Sequence, residues 1–341
     1  MKLQEIKTNN NPIYKEFFSK SNLEVEVEMT IWRGAPSDNS FCFINPEVKY
    51  KERKDRVLNK LIEIFDICSD SFKKKFEMAI SGDGQEVKRI STLHSSSLAA
   101  LLLLYSISKN NPLKCELEGK KYEFNNCYFE VKTNVKDDHF SNMDVVLVGK
   151  NSEDRNVIFF LESKFSEYLN TGMCNSISLD AYKDKYVELG LISNDEAISG
   201  LHFVLGKGKD NMDCLQIKSD TPQYCGGIKQ MISHYMGVTN FVEKGEKALD
   251  PKQRPNLDEL VKLRHEGADI ILGEVLFDFC GKISNVKTKQ KFENYSSIYK
   301  ELAKILKVHT SKLCIMSEVL TYQELLKGFR LDKKVKDFYQ L

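Results

Sequence analysis

Two apolar runs, Asp144–Val148 (DVVLV) and Val157–Lys164 (VIFFLESK), are separated only by the polar loop Lys150–Asn156 (KNSEDRN). A connection that short leaves an antiparallel hairpin as the simplest link between two strands. Continuous rather than alternating apolar character implies that the sheet is covered on both faces. If the pairing is centred on Glu153, Val145 opposes Leu161 and Val148 opposes Ile158, matching apolar to apolar. The same register sets Asp144 opposite Glu162, with Cβ atoms roughly 4.5–5.5 Å apart. Lys164, two residues beyond Glu162, emerges on that same face. A slip of one residue would send the two acids to opposite faces.

Adjacent carboxylates repel, so one takes up a proton unless positive charge lies between them. A divalent cation relieves that repulsion, and oxygen ligands suit Mg²⁺ or Mn²⁺. Such an ion lowers the pKa of its bound water and stabilises charge developing at phosphorus. A lysine beside it can orient the water, help deprotonate it, or neutralise the transition state. Two acids and a lysine so placed form a minimal site for phosphodiester hydrolysis. Against this, Glu-x-Lys is common, and an exposed ion pair on a strand does little.

The rest of the chain reads as α/β. Arg56–Phe65 and Ser71–Ile80 have helical spacing, with a turn signal at Ser81–Gly84. Ser95–Ser97 can start a helix whose body, Leu98–Ile107, is almost wholly apolar. Cys127–Val135 reads as a half-buried strand preceding the two central ones. Helices are predicted near Leu179–Leu189 and over Gly226–Met236, and strands near Leu201–Leu205 and over Asp269–Phe277. The C-terminal residues are helical in pattern, including Tyr295–Leu306 and Tyr322–Leu326. The central order is therefore α-β-β-β-α-β. The organisation expected is an N-terminal helical extension over 1–90 packed on the core, a core over 91–280 with an insertion at 165–223, and a C-terminal helical segment over 281–341.

With 341 residues, 41% hydrophobic and 29% charged, the composition is that of an ordinary globular chain. The apolar run Leu98–Tyr105 is too short to span a bilayer, and no signal peptide is evident, so a cytoplasmic protein without membrane contact is expected. Nine cysteines lie at wide intervals with no C-x-x-C pair, which fits free thiols better than a zinc site. The net charge of +1 argues against a protein that coats nucleic acid, but not against an enzyme with one basic groove. Lysine runs at 49–56, 73–75, 282–291 and 330–336 supply candidates for such a groove, or simply solvated helix faces.

Secondary candidates carry bland alternatives. Gln230 and His234, four apart on a helix, share a face and can touch a phosphate or the lysine; equally they form a polar stripe on a packed helix. Glu130 is either an acid close to the metal or a solvent-facing strand residue. Ser95 and Ser96 are accessory candidates or no more than helix caps. Asp137, Asp138 and His139 imitate a metal cluster within a polar turn. Gly206–Lys209 lacks phosphate-loop spacing.

Ser141-Asn142-Met143-Asp144 followed by Phe160-Leu161-Glu162-Ser163-Lys164 resembles the D-(x)n-E-x-K signature of the PD-(D/E)xK nuclease superfamily. His94–Ser97 before a helix, Phe129–Lys132 in the first strand and Gln230-x-x-x-His234 in a later helix are similar to bacterial restriction-endonuclease-like proteins. The resemblance covers about residues 90–280 and, more faintly, Tyr322–Leu326. It implies a restriction-endonuclease-like core, a central mixed sheet flanked by helices. It implies Asp144 and Glu162 as ligands of Mg²⁺ or Mn²⁺ with the Ser163 carbonyl joining them, and Lys164 as the catalytic lysine. Met143 stands where the superfamily often has proline, and no acid is evident on the first helix near Ser95–Ser97. The implied activity is a DNA endonuclease in restriction or anti-phage defence. A homodimer and a partner protein of a defence or modification system are compatible with it. The alternatives are a repair or recombination nuclease, a catalytically inactive DNA-binding or regulatory module of the same fold, and a protein-interaction domain.

Overall fold

A computed structural model describes residues 2–6, 13–31, 39–44, 50–67, 69–81, 89–169, 176–178, 182–192, 198, 200–207, 213–219, 226–284, 287–310 and 312–341. A two-stranded ribbon, β1 (Glu28–Ile31) and β2 (Asn39–Cys42), precedes α1 (Tyr50–Phe65) and α2 (Ser69–Ala79). Next come α3 (Ser96–Leu104), β3 (Leu113–Leu117), β4 (Lys120–Lys136), β5 (His139–Asn151) and β6 (Asn156–Lys164). The segment after β6 holds β7 (Ser176–Ser178), α4 (Lys183–Glu188), β8 (Leu201–Lys207) and β9 (Asp213–Ser219). The chain continues through α5 (Gly226–Lys244), α6 (Asp258–His265), β10 (Asp269–Leu276) and α7 (Lys287–Val308). It closes with β11 (Cys314–Ile315), β12 (Leu320–Thr321), α8 (Tyr322–Leu325) and α9 (Lys333–Tyr339).

The protein is α/β, built on a mixed sheet in the order β11-β10-β6-β5-β4-β3, with β12 also on β10. Strands β3 to β6 pair antiparallel, whereas β10 runs parallel to β6. The insertion forms its own sheet, β7-β9-β8. The central hairpin pairs Val145 with Leu161 and Val148 with Ile158, so its centre falls at Glu153. Asn151 fixes the turn, its Oδ1 accepting from the amides of Glu153 and Arg155 at 2.9 and 3.0 Å. Side chains alternate across the sheet into two apolar clusters. One joins Val145, Leu147, Phe159 and Leu161 to the Leu98–Leu104 stretch, Phe17, Phe18 and Phe338. The other joins Val146, Val148, Ile158 and Phe160 to Ile228, Met231, Ile232 and Leu302. Both faces of β5 and β6 are therefore dry, which accounts for their unbroken apolar runs.

Two differences from the sequence reading follow from packing. The N-terminal segment contains strands as well as helices, and its Phe17 and Phe18 lie in the same core as Phe338 and Tyr339. The C-terminal segment is not wholly helical, since β11 and β12 extend the central sheet beyond residue 280. Among the described residues no helix is long and apolar enough to cross a membrane. Cys42, Cys115, Cys127, Cys280 and Cys314 are free, and Cys314 is exposed.

Candidate active site

The ladder brings four acids towards one row. Glu130 of β4 lies between the pairs Phe129–Val145 and Val131–Met143, at the level of Asp144. Asp144 sits one position beyond the Val145–Leu161 pair, at the level of Glu162, and Glu162 pairs directly with Glu274 of β10. Glu130 adopts a left-handed backbone, φ 51°, unusual for a residue with a side chain. Gln253 supports it: Nε2 donates to the Glu130 carbonyl and Oε1 accepts from the Lys132 amide, both at 2.8 Å. Glu130 is buried rather than solvent-facing, and Ser97 Oγ lies 3.5 Å from its Oε1.

Glu162 and Lys164 are each only 2% exposed. The Lys164 ammonium donates to Glu162 Oε1 and, at 2.9 Å, to Gln230 Oε1. Gln230 Nε2 in turn donates to Glu162 Oε1 at 3.0 Å. His234 Nε2 stands 2.9 Å from Glu162 Oε2, an ion-pair contact in which neither atom makes a well-directed hydrogen bond. On its other side His234 Nδ1 meets Ser141 Oγ. Burial alone would raise the Glu162 carboxyl, but Lys164 and His234 outweigh it and hold the group at about 2.

Asp144 is half-buried, and its Oδ2 accepts from the Ser163 amide at 2.8 Å. Burial, then the charges of Glu162 and Glu130, push its carboxyl well above the usual range despite Lys164 and the Ser163 amide. Without added positive charge, then, the row keeps Glu162 ionised and favours a proton on Asp144. Ser163 faces the other way, its hydroxyl 2.8 Å from Tyr322 Oη and donating to the Ser96 carbonyl at 3.2 Å.

Sequence reasoning placed Asp144, Glu162, Lys164, Gln230 and His234 as candidates, and all five meet here. Ser95 does not reach the acids: its Oγ caps α3, accepting from the Leu98 amide at 3.2 Å. Asp137 and Asp138 form the turn between β4 and β5. Gly206 and Lys207 end β8, while Gly208 and Lys209 lie outside the described residues. Glu274, Tyr295 and Tyr322 were missed. The one available signal was Glu274 itself, a charge inside the apolar run DIILGEVLF.

Beside the row opens a cleft of about 620 Å³, lined by Lys132, Lys229, Lys252, Gln230, Ser233 and His234 among others. A larger one, about 730 Å³, lies at the far end of the β3–β5 ribbon around Tyr122, Lys150 and Asp154, and neither Gln230 nor His234 lines it. Of the two, the smaller is the one lined by Gln230 and His234, the side chains that contact Glu162. No family model matches this chain, and neither a curated protein nor a solved structure shows significant similarity to it.

Proposed function

We propose that the protein is a metal-dependent endonuclease of the PD-(D/E)xK type with a restriction-endonuclease-like core, hydrolysing DNA phosphodiester bonds in restriction or anti-phage defence. The observation that carries this reading is a buried Lys164 ammonium held against Glu162, beside Asp144 and next to a lysine-lined cleft.

Among the described residues no group of three His, Cys, Asp or Glu side chains stands ready to enclose a metal. The donors nonetheless suit Mg²⁺ or Mn²⁺, because Mg²⁺ keeps several waters and is commonly held by one or two carboxylates. Asp144, Glu162 and the Ser163 carbonyl would hold it. The fit shows in Glu162 Oε2, a buried oxygen without a hydrogen bond, and in Asp144, whose carboxylate form the Lys164 charge and the Ser163 amide do not offset against burial and two neighbouring acids. A cation bound there supplies Lewis acidity and an acidified water. Lys164, steadied by Gln230, would orient the attacking water or neutralise charge on the phosphate. Lys132, Lys229 and Lys252 would meet flanking phosphates.

The test is cleavage of plasmid, linear duplex and single-stranded DNA by wild type and Lys164→Ala, in Mg²⁺, Mn²⁺ or EDTA. Metal-dependent nicking that vanishes in the variant is the expected result. No cleavage of any DNA by wild type, or equal cleavage by the variant, would overturn the proposal and leave a non-catalytic module of the same architecture.

A further inference from the structure

Glu274 is an acid of the row to which the mechanism above gives no part, and it pairs directly with Glu162 across the parallel ladder. It is 1% exposed, in the middle of β10. A carboxyl group in such a place costs stability unless its oxygens are satisfied. Only one is: Tyr295 Oη donates to Oε2 at 2.6 Å, while Oε1 has no hydrogen-bond partner.

Tyr295 is itself placed with care. It reaches the site from α7, and its hydroxyl passes so close to Gly227 that a Cβ there would lie 2.2 Å from Oη. The absence of a side chain at Gly227 lets α7 and the start of α5 approach. The helix carrying Gln230 and His234 is thereby locked to the tyrosine that grips Glu274.

We infer that Glu274, gripped by Tyr295, is a positioning residue: together with Gln230 Oε1, its unpartnered oxygen keeps the Lys164 ammonium in place when Glu162 is engaged elsewhere. Lys164 is bound to Glu162 in this state, and a cation on Glu162 would compete for the same carboxylate. An ammonium so deep in the protein keeps the Gln230 carbonyl oxygen but loses its carboxylate partner, and a second carboxyl acceptor beside it replaces that partner. Glu274 stands next to Glu162, and Lys164 and His234 both act on it electrostatically. An acceptor oxygen suffices for this role.

The inference rests on the nuclease reading for its catalytic consequence, but its structural content can be measured without turnover. Full-length protein is labelled with ¹⁵N at lysine side chains, and Lys164→Met identifies the Lys164 ammonium signal. Spectra are recorded with and without Mg²⁺. Glu274→Leu is expected to shift or broaden that signal, most strongly with Mg²⁺ present, whereas Glu274→Gln, which retains an acceptor oxygen, leaves it near the wild-type position. In parallel, Glu274→Leu should lower kcat roughly 10- to 100-fold with KM for DNA unchanged, and Glu274→Gln should recover most of it. A Lys164 signal unmoved by Glu274→Leu overturns the inference, whatever the cleavage assay shows. Wild-type protein that cleaves no DNA, with the signal displaced as expected, overturns the nuclease reading alone. Should Glu274→Leu not fold, Tyr295→Phe poses the same question, and an unchanged signal there overturns the inference too.

Discussion

The Asp144 carboxylate leans onto the backbone of the neighbouring strand, accepting the Ser163 amide at 2.8 Å, while Glu162 at the same level of the ladder takes the Lys164 ammonium. Two acids that strand register makes equivalent are thus held by different partners. One is stabilised as a carboxylate by the ammonium bonded to it; for the other, burial and two like-charged neighbours outweigh the same lysine's charge and one amide.

Lys164→Ala should abolish cleavage while leaving metal binding largely intact, whereas Glu162→Ala and Asp144→Ala should lose both. Lys164→Arg should fail as well, since a planar guanidinium cannot replace a compact amine. The stability cost is also specific. Removing one partner of so deeply buried a pair should destabilise by about 3–5 kcal/mol, and a Glu162→Gln/Lys164→Met double variant should recover part of this. Nicking assays, metal titration and urea melts check the set; a Lys164→Ala protein as stable as wild type would mean the pair contributes little.

Divalent metal should stabilise the fold. At roughly 100 times its Kd a cation adds about 2.7 kcal/mol by mass action. Thermal melts in Mg²⁺ and Mn²⁺ should rise for wild type but not for Glu162→Ala. Identical melts with and without millimolar metal would rule out a site at these carboxylates.

The pH dependence of stability should carry the mark of Glu274. Burial raises its carboxyl from 4.5 to about 7, offset in part by Lys164, Tyr295 and His234 and reinforced by Glu162. Between those values the folded protein retains a proton that the unfolded chain loses. Its stabilising contribution is therefore complete below pH 4.5 and is lost as pH rises through 7, on the order of 3 kcal/mol in all. Chemical denaturation of wild type and Glu274→Gln from pH 5 to 8 should show the gap between them shifting in favour of the variant as pH rises. A gap independent of pH would remove the titration.

Gly149→Ala should damage the sheet without touching the acids. A Cβ at Gly149 would lie 2.0 Å from the Glu123 carbonyl oxygen and 2.6 Å from Phe124 Cα, atoms of β4 that cannot swing aside. The β4–β5 register shifts next to it, between Phe124 and Asn126. The cost should be at least about 1–3 kcal/mol. A variant that melts with wild type would show that the strands can separate locally at no cost.

What the sequence revealed was local. The hairpin could be read because apolar matching about Glu153 admits one register, and Gln230 and His234 because helical spacing puts them on one face. The turn at Glu118–Gly119, which joins β3 to β4, went unread: both residues have positive φ, but the flanking LKCEL and KKYEF are too polar to suggest strands. Glu274 escaped for a different reason. Its neighbour Glu162 lies on a strand reached only through the whole insertion and α5, and no local pattern sets the register of a parallel pair. Glu130 was ambiguous because alternation alone does not reveal a residue with a left-handed backbone steadied by a distant glutamine.

Gln253 acts on β4 as a peptide group supplied by another part of the chain, and it follows Glu130 by 123 residues. Gln230 follows Lys164 by 66, and Tyr322 follows Ser163 by 159. During synthesis the strands bearing the two acids and the lysine emerge well before the residues that order them. The row is then an unassembled cluster of charges until those later segments have followed, so that ordering of the site depends on long-range closures in folding. A site assembled in this order gains its arrangement only after Gln230, Gln253 and Tyr322 have joined the strands they brace.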